Sequence, residues 1–193
     1  MSEIHQDSIC PKSREEWREW LKQNHISTES IWIIYYRVTS EKFNLSWTDA
    51  VEEALCFGWI DSIRKTLDEE RSIQYFSKRK KNSTWSKINK EKIELLIERK
   101  QMTQAGLNCV KIAKENGSWS ILDSVEALII PDDLEAEFEI HPGSKEFFES
   151  LSKSRRKILL SWVALAKRSE TKQSRIKEIA SQAGLGLVPI QFR

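Results

Sequence analysis

Behind Ser13-Arg14-Glu15-Glu16, a serine three residues ahead of a glutamate, Trp17, Trp20 and Leu21 fall at spacings of three and four. That pattern predicts an N-capped amphipathic helix. Polar positions then thin out: inside 29–38, Ile31-Trp32-Ile33-Ile34-Tyr35-Tyr36 is β-branched and aromatic without clear alternation, which predicts a strand covered on both faces. Ser46-Trp47-Thr48-Asp49 repeats the capping pattern ahead of Ala50, Val51, Ala54 and Leu55, and Gly58 ends the helix. Residues 60–67 and 72–78 mix β-branched with charged side chains around the acidic turn Asp68-Glu69-Glu70, predicting an exposed hairpin. From Thr84 onward helical periodicity takes over. Trp85, Ile88, Leu95 and Leu96 make one stripe, and Thr103 is placed to cap a helix bearing Leu107, Val110 and Ala113, closed by Gly117. Further helices are expected from Asp123 to Pro131, from Pro131 through Phe138, and behind Ser144, Ser154 and Thr171, the last closed by Gly184.

Strands first and helices after predict an α+β fold: a small N-terminal antiparallel sheet with helices, followed by a helical C-terminal part. The boundaries read as an N-terminal tail over 1–12, an α+β domain over 13–120 and a helical module over 121–193. A chain of 193 residues buries a core without disulfides. Cys10, Cys56 and Cys109, odd in number and far apart, accordingly read as reduced thiols. The longest aromatic-aliphatic run, 31–36, is far short of the about 20 residues a membrane helix needs. The first seven residues carry neither a basic nor an apolar leader pattern, so the expected location is the cytoplasm.

Charge alters this picture through its distribution rather than its sum. Lys and Arg number 31 against 29 Asp and Glu, a formal +2, which gives no strong overall pull on nucleic acid or membrane. Residues 120–149, however, hold nine acids against Lys145, and 150–193 hold ten bases against Glu170 and Glu178, so the segments carry −8 and +8. Either these neighbours neutralise one another, or Arg155, Arg156, Lys157, Lys167, Arg168, Lys172 and Arg175 form a phosphate-contacting nucleic-acid surface. Lys78-Arg79-Lys80-Lys81, behind Tyr75 and Phe76, interleaves bases with aromatics as a single-strand surface would, and equally as a guarded sheet edge would.

The usual catalytic signatures are missing. The glycines lie singly or at a helix exit, which excludes a phosphate loop, and His5, His25 and His141 lack one-face metal-ligand spacing. No metal, cofactor or catalytic residue is assigned. The densest constellation is Cys56-Phe57-Gly58-Trp59-Ile60-Asp61, then Arg79, then Ser83-Thr84-Trp85-Ser86-Lys87-Ile88-Asn89. If the second helix leads into the hairpin and the hairpin into the third helix, Trp59, Asp61, Arg79, Trp85, Ser86 and Asn89 converge on a pocket for an anionic or planar ligand, by guanidinium hydrogen bonds and indole stacking. The bland alternative is an Asp61–Arg79 salt bridge, two core tryptophans and a serine cap. An enzyme with Asp61 or Glu53 as base beside Arg79 would need a raised carboxylate pKa in a closed cleft. A binding protein, for a small ligand or a protein partner, is the favoured reading over an enzyme.

The string Glu53-Ala54-Leu55-Cys56-Phe57-Gly58-Trp59-Ile60-Asp61, with Ser83-Thr84-Trp85-Ser86-Lys87-Ile88-Asn89 and Met102-Thr103-Gln104-Ala105-Gly106, resembles the YdeI/OmpD-associated or bacteriocin-protection family. Pro131-Asp132-Asp133-Leu134, Phe147 to Leu151, Ala166-Lys167, Glu170-Thr171 and Arg175-Ile176 are similar to that family's helical module, so the likeness runs over about 13–184. It implies a bacterial protein of stress or antimicrobial-peptide (bacteriocin) tolerance, with no established reaction. This chain has Ser77-Lys78-Arg79 where the family usually has Thr-Pro-Arg, Ile63 where glycine is common, and Lys100-Gln101-Met102 where Gly-Arg-Met is typical.

Overall fold

The computed structural model describes residues 7–193, which divide into two compact units after Trp119. The first unit runs β1 (Ser8–Ile9), α1 (Arg14–Asn24), β2 (Ser30–Tyr36), α2 (Trp47–Cys56), β3 (Trp59–Thr66), β4 (Arg71–Lys78), α3 (Lys87–Glu98) and α4 (Gln104–Glu115). Small sheet first and helices after, the α+β class holds. Residues Ser8–Ile9, expected in a tail, instead add a parallel edge to β2. The sheet is therefore mixed, in the order β1-β2-β4-β3.

β2 pairs antiparallel with β4, and β4 with β3. The hairpin is thus exposed only on its first strand, because β4 lies between two neighbours and buries Ile73, Gln74 and Phe76. A register shift between Asp61 and Arg64 bulges β3. With Arg64 and Lys65 exposed beyond it, the bulge keeps this edge from pairing with another chain. Trp17, Leu21, Ile31, Ile33, Leu55, Trp59 and Phe76 meet in one core, with Trp17 edge-on to Phe76 at 5.6 Å.

The end of α2 is held against the start of α4 by backbone proximity. Both the N–H and the hydroxyl of Thr103 donate to the Cys56 carbonyl, at 3.1 and 2.6 Å. A Cβ on Gly106 would stand 2.3 Å from that same oxygen, so this close approach requires glycine. Gly58 turns the chain out of α2 at φ +75°, with room for a Cβ denied by Cys109 Sγ at 2.5 Å. In α3 the buried residues are Ile93 and Leu96, whereas Ile88 and Leu95 are 59% and 47% exposed. Trp85 lies ahead of the Ser86 cap, outside the helix, and so does not set its phase as the stripe assumed.

The second unit runs α5 (Asp123–Glu126), α6 (Asp132–Ile140), α7 (Ser144–Ser150), α8 (Lys153–Ala164), α9 (Ser169–Gly184) and a 3-10 turn at Ile190–Phe192. Leu134, Phe138, Phe148, Leu159, Val163, Ile176 and Ile179 form its core. Three expected caps move. Gly143, at φ +78°, precedes α7, and Ser144 is buried with its hydroxyl donating to the Phe138 carbonyl at 3.1 Å. Ser152, not Ser154, caps α8 by accepting from the Arg155 N–H at 3.3 Å. Thr171 falls inside the first turn of α9, which begins at Ser169. Among the described residues no helix is long and apolar enough to cross a membrane.

Candidate functional site

Arg79 follows β4 directly, and its backbone N–H donates to the Gly58 carbonyl at 2.9 Å. The turn that ends α2 thereby fixes where this side chain enters. Its guanidinium lies over the Trp85 ring, 3.7 Å from the centroid, and Nη1 donates to the Thr84 carbonyl at 2.8 Å. Nε and Nη2, both buried, have no hydrogen-bond partner among the described residues, and neither has Trp85 Nε1. Arg79 is 9% exposed. Burial pushes its pKa down to about 10, so at neutral pH it remains a buried cation.

These donors border a narrow cavity of about 30 Å³, lined by Arg79, Lys80, Lys81, Trp85, Cys109 and Ile112. That is room for roughly two water-sized groups. Every charged residue of the lining is basic. Behind Trp85, Trp119 packs at 5.0 Å, and the ammonium of Lys114 sits 5.3 Å over its ring. Cys109 is held neutral, its thiol raised by burial against the opposing pull of Arg79.

Of the six side chains the sequence brought forward, Arg79 and Trp85 share this cavity. Trp59 is fully buried in the core, edge-on to Trp20 at 5.9 Å, with its Nε1 also unpartnered. Asp61 forms no ion pair with Arg79: its Oδ2 accepts from Gln74 Nε2 at 2.6 Å and Trp47 Nε1 at 3.2 Å. Ser86 accepts from the Asn89 N–H at 3.3 Å, so this pair builds the α3 cap rather than a ligand contact. Cys109, Ile112 and Trp119 were missed, because only the docking of α4 on the Gly58 turn brings α4 to Arg79.

Glu53, the other proposed base, is 2% exposed, but each of its oxygens is held by a guanidinium, Arg14 at 2.6 Å and Arg18 at 2.5 Å. Arg14 also bridges Asp49 at 2.6 Å, and Lys92 bridges Glu52 at 3.1 Å. This closed ion network joins α1, α2 and α3 and leaves Glu53 no free oxygen for proton transfer.

The basic C-terminal set is partly spent within its own unit. Lys157 pairs with Glu126 and Lys172 with Asp133, both at 2.5 Å. Arg175 donates to the Trp162 carbonyl at 2.5 Å and covers that ring at 5.0 Å. Acidic and basic segments therefore do neutralise one another in part. Arg155, Lys167 and Arg168 stay exposed and Arg156 is half-buried.

An α+β unit with a cationic cavity and a separate helical unit is the class these features define. Residues 9–109 match the family described as a domain of unknown function, DUF8412, and the chain belongs to that family. Residues 127–186 match the family described as Bacteriocin-protection, YdeI or OmpD-Associated. Of the YdeI/OmpD likeness read over 13–184, the match to that family covers 127–186, and the strings at 53–61, 83–89 and 102–106 lie instead in the match to DUF8412. Neither a curated protein nor a solved structure matches the chain.

Proposed function

We propose that the first unit is a non-enzymatic binding module for a small anionic group, taken up at Arg79. One observation carries this reading: a buried guanidinium, with no carboxylate of the described residues bonded to it, presents Nε and Nη2 without partners at a cavity whose charged lining is otherwise Lys80 and Lys81. Buried donors left unpaired are costly, and a charge-assisted bond to an anion offsets that cost. A planar ligand finds less support, since Trp59 and Trp85 are buried and the Trp85 face already carries the guanidinium.

Tryptophan fluorescence of the folded chain, titrated with phosphate, sulfate or acetate at constant ionic strength, tests the reading. The expected result is a saturable response to at least one anion that disappears in Arg79→Gln. An unchanged response in that variant, or none in the parent, contradicts it. The match at 127–186 supports a role in bacteriocin or antimicrobial-peptide tolerance. Bacteria deprived of the chain should then be sensitised to a cationic bacteriocin and rescued by the intact chain. Unchanged sensitivity would contradict that role, and equal rescue by Arg79→Gln would show that the cavity does not serve it.

A further inference from the structure

The second unit holds a cavity of different character. About 210 Å³ in volume, it is lined by Ile158, Leu159, Val188 and Phe192, with Arg155 and Arg193 as the charged members of its lining. Leu159 and Val188 are buried at its floor, 1% and 5% exposed, whereas Ile158 at its mouth is 47% exposed. Phe192 is held in place edge-on to Trp162 at 5.4 Å. Arg193 is positioned by its own bonds, Nε to the Val188 carbonyl at 3.0 Å and Nη2 to Gln182 Oε1 at 2.7 Å. Val188, Phe192 and Arg193 all lie beyond the matched residues 127–186.

We infer that this cavity binds a single anionic amphiphile, an aliphatic chain of medium length bearing a carboxylate. The apolar walls take the chain, which gains by leaving water in proportion to the area buried. The two guanidiniums take the head, by charge-assisted and bidentate hydrogen bonds that a hydroxyl or an ammonium cannot match. The volume suits one such chain and is below the usual range for larger ligands. With no acidic side chain in the lining, the guanidiniums select the head and the walls select the tail.

The test is calorimetric titration of the full chain with decanoate below its micellar concentration, with decanol and decyltrimethylammonium as probes of equal chain length. Saturable binding of one decanoate per chain is expected, with decanol weaker by about tenfold and the ammonium not bound. Arg155→Gln should weaken decanoate by about tenfold. Ile158→Trp should abolish binding by filling the mouth, with both variants melting as the parent does, since both positions are exposed. Absence of saturable decanoate binding overturns the inference, as does equal binding of decanol. Arg155-dependent sedimentation with phosphatidylglycerol vesicles in place of decanoate binding would assign the surface to a membrane and overturn it as well. None of these variants touches the Arg79 cavity, so the two readings fail separately.

Discussion

Lys100 adopts φ +58°, a left-handed conformation that L side chains enter at a cost and glycine enters freely. The reason is the end of α3: the Lys100 N–H donates to the Ile97 carbonyl and the Gln101 N–H to that of Leu96, both at 2.9 Å, which closes the helix by the usual left-handed cap. Lys100→Gly should therefore raise stability by about 1 kcal/mol in urea unfolding, and no gain would refute the strain. Leu128, at φ +56°, is the contrasting case, because its side chain packs on the second core. A second residue-scale consequence comes from Cys56, whose thiol burial raises to about 11. Between about pH 9 and 11 the folded chain keeps a proton that the unfolded chain releases, so stability falls as pH rises through that window. Cys56→Ala should remove about 2 kcal/mol of the decline between pH 8 and 10.5. A decline unchanged in that variant would place its origin elsewhere.

At the scale of elements, the contact of α2 with α4 places Cys109 and Ile112 beside Arg79. Gly106→Ala pushes a methyl into the Cys56 carbonyl and should destabilise the chain by on the order of 2 kcal/mol or more. It should also blunt the anion response of the molecules that remain folded. A neutral effect on both would mean that the helices separate without consequence. The elements of the first unit were largely legible from sequence because caps and apolar runs are local signals: Ser13, Ser46, Ser86 and Thr103 each accept the expected backbone N–H. Ser8–Ile9 were not legible, since two residues carry no period and pair only because β2 offers an edge. Among the site residues, Arg79 and Trp85 were legible as a cation beside an aromatic. Asp61 was misassigned because Gln74, its actual partner, lies across the strand pair on the far side of the bulge. Ser154 misled because Ser152, two residues earlier, offers the same hydroxyl, and Ser144 because left-handed Gly143 opens α7 while the Ser144 hydroxyl bonds back to Phe138.

Across the whole molecule the formal charge of +2 conceals two unlike arrangements. In the second unit Lys157 pairs with Glu126 and Lys172 with Asp133, so its acidic and basic segments neutralise one another in part, and Lys145 pairs with Glu135 within the acidic segment. In the first unit Glu53 is bonded by two guanidiniums, while no carboxylate among the described residues bonds Arg79 and Asp61 acts on it only through space. That asymmetry is the central claim: Nε and Nη2 of Arg79 stay without a bonded partner, and a charge-assisted bond to an anion from outside the chain satisfies them best. The most direct measurement is anomalous diffraction from crystals of the full chain grown with selenate. The account predicts a selenium peak with oxygens within hydrogen-bonding distance of Arg79 Nε and Nη2, absent from Arg79→Gln crystals grown alike. An Arg79 cavity holding only water, with selenate bound elsewhere or not at all, would contradict it.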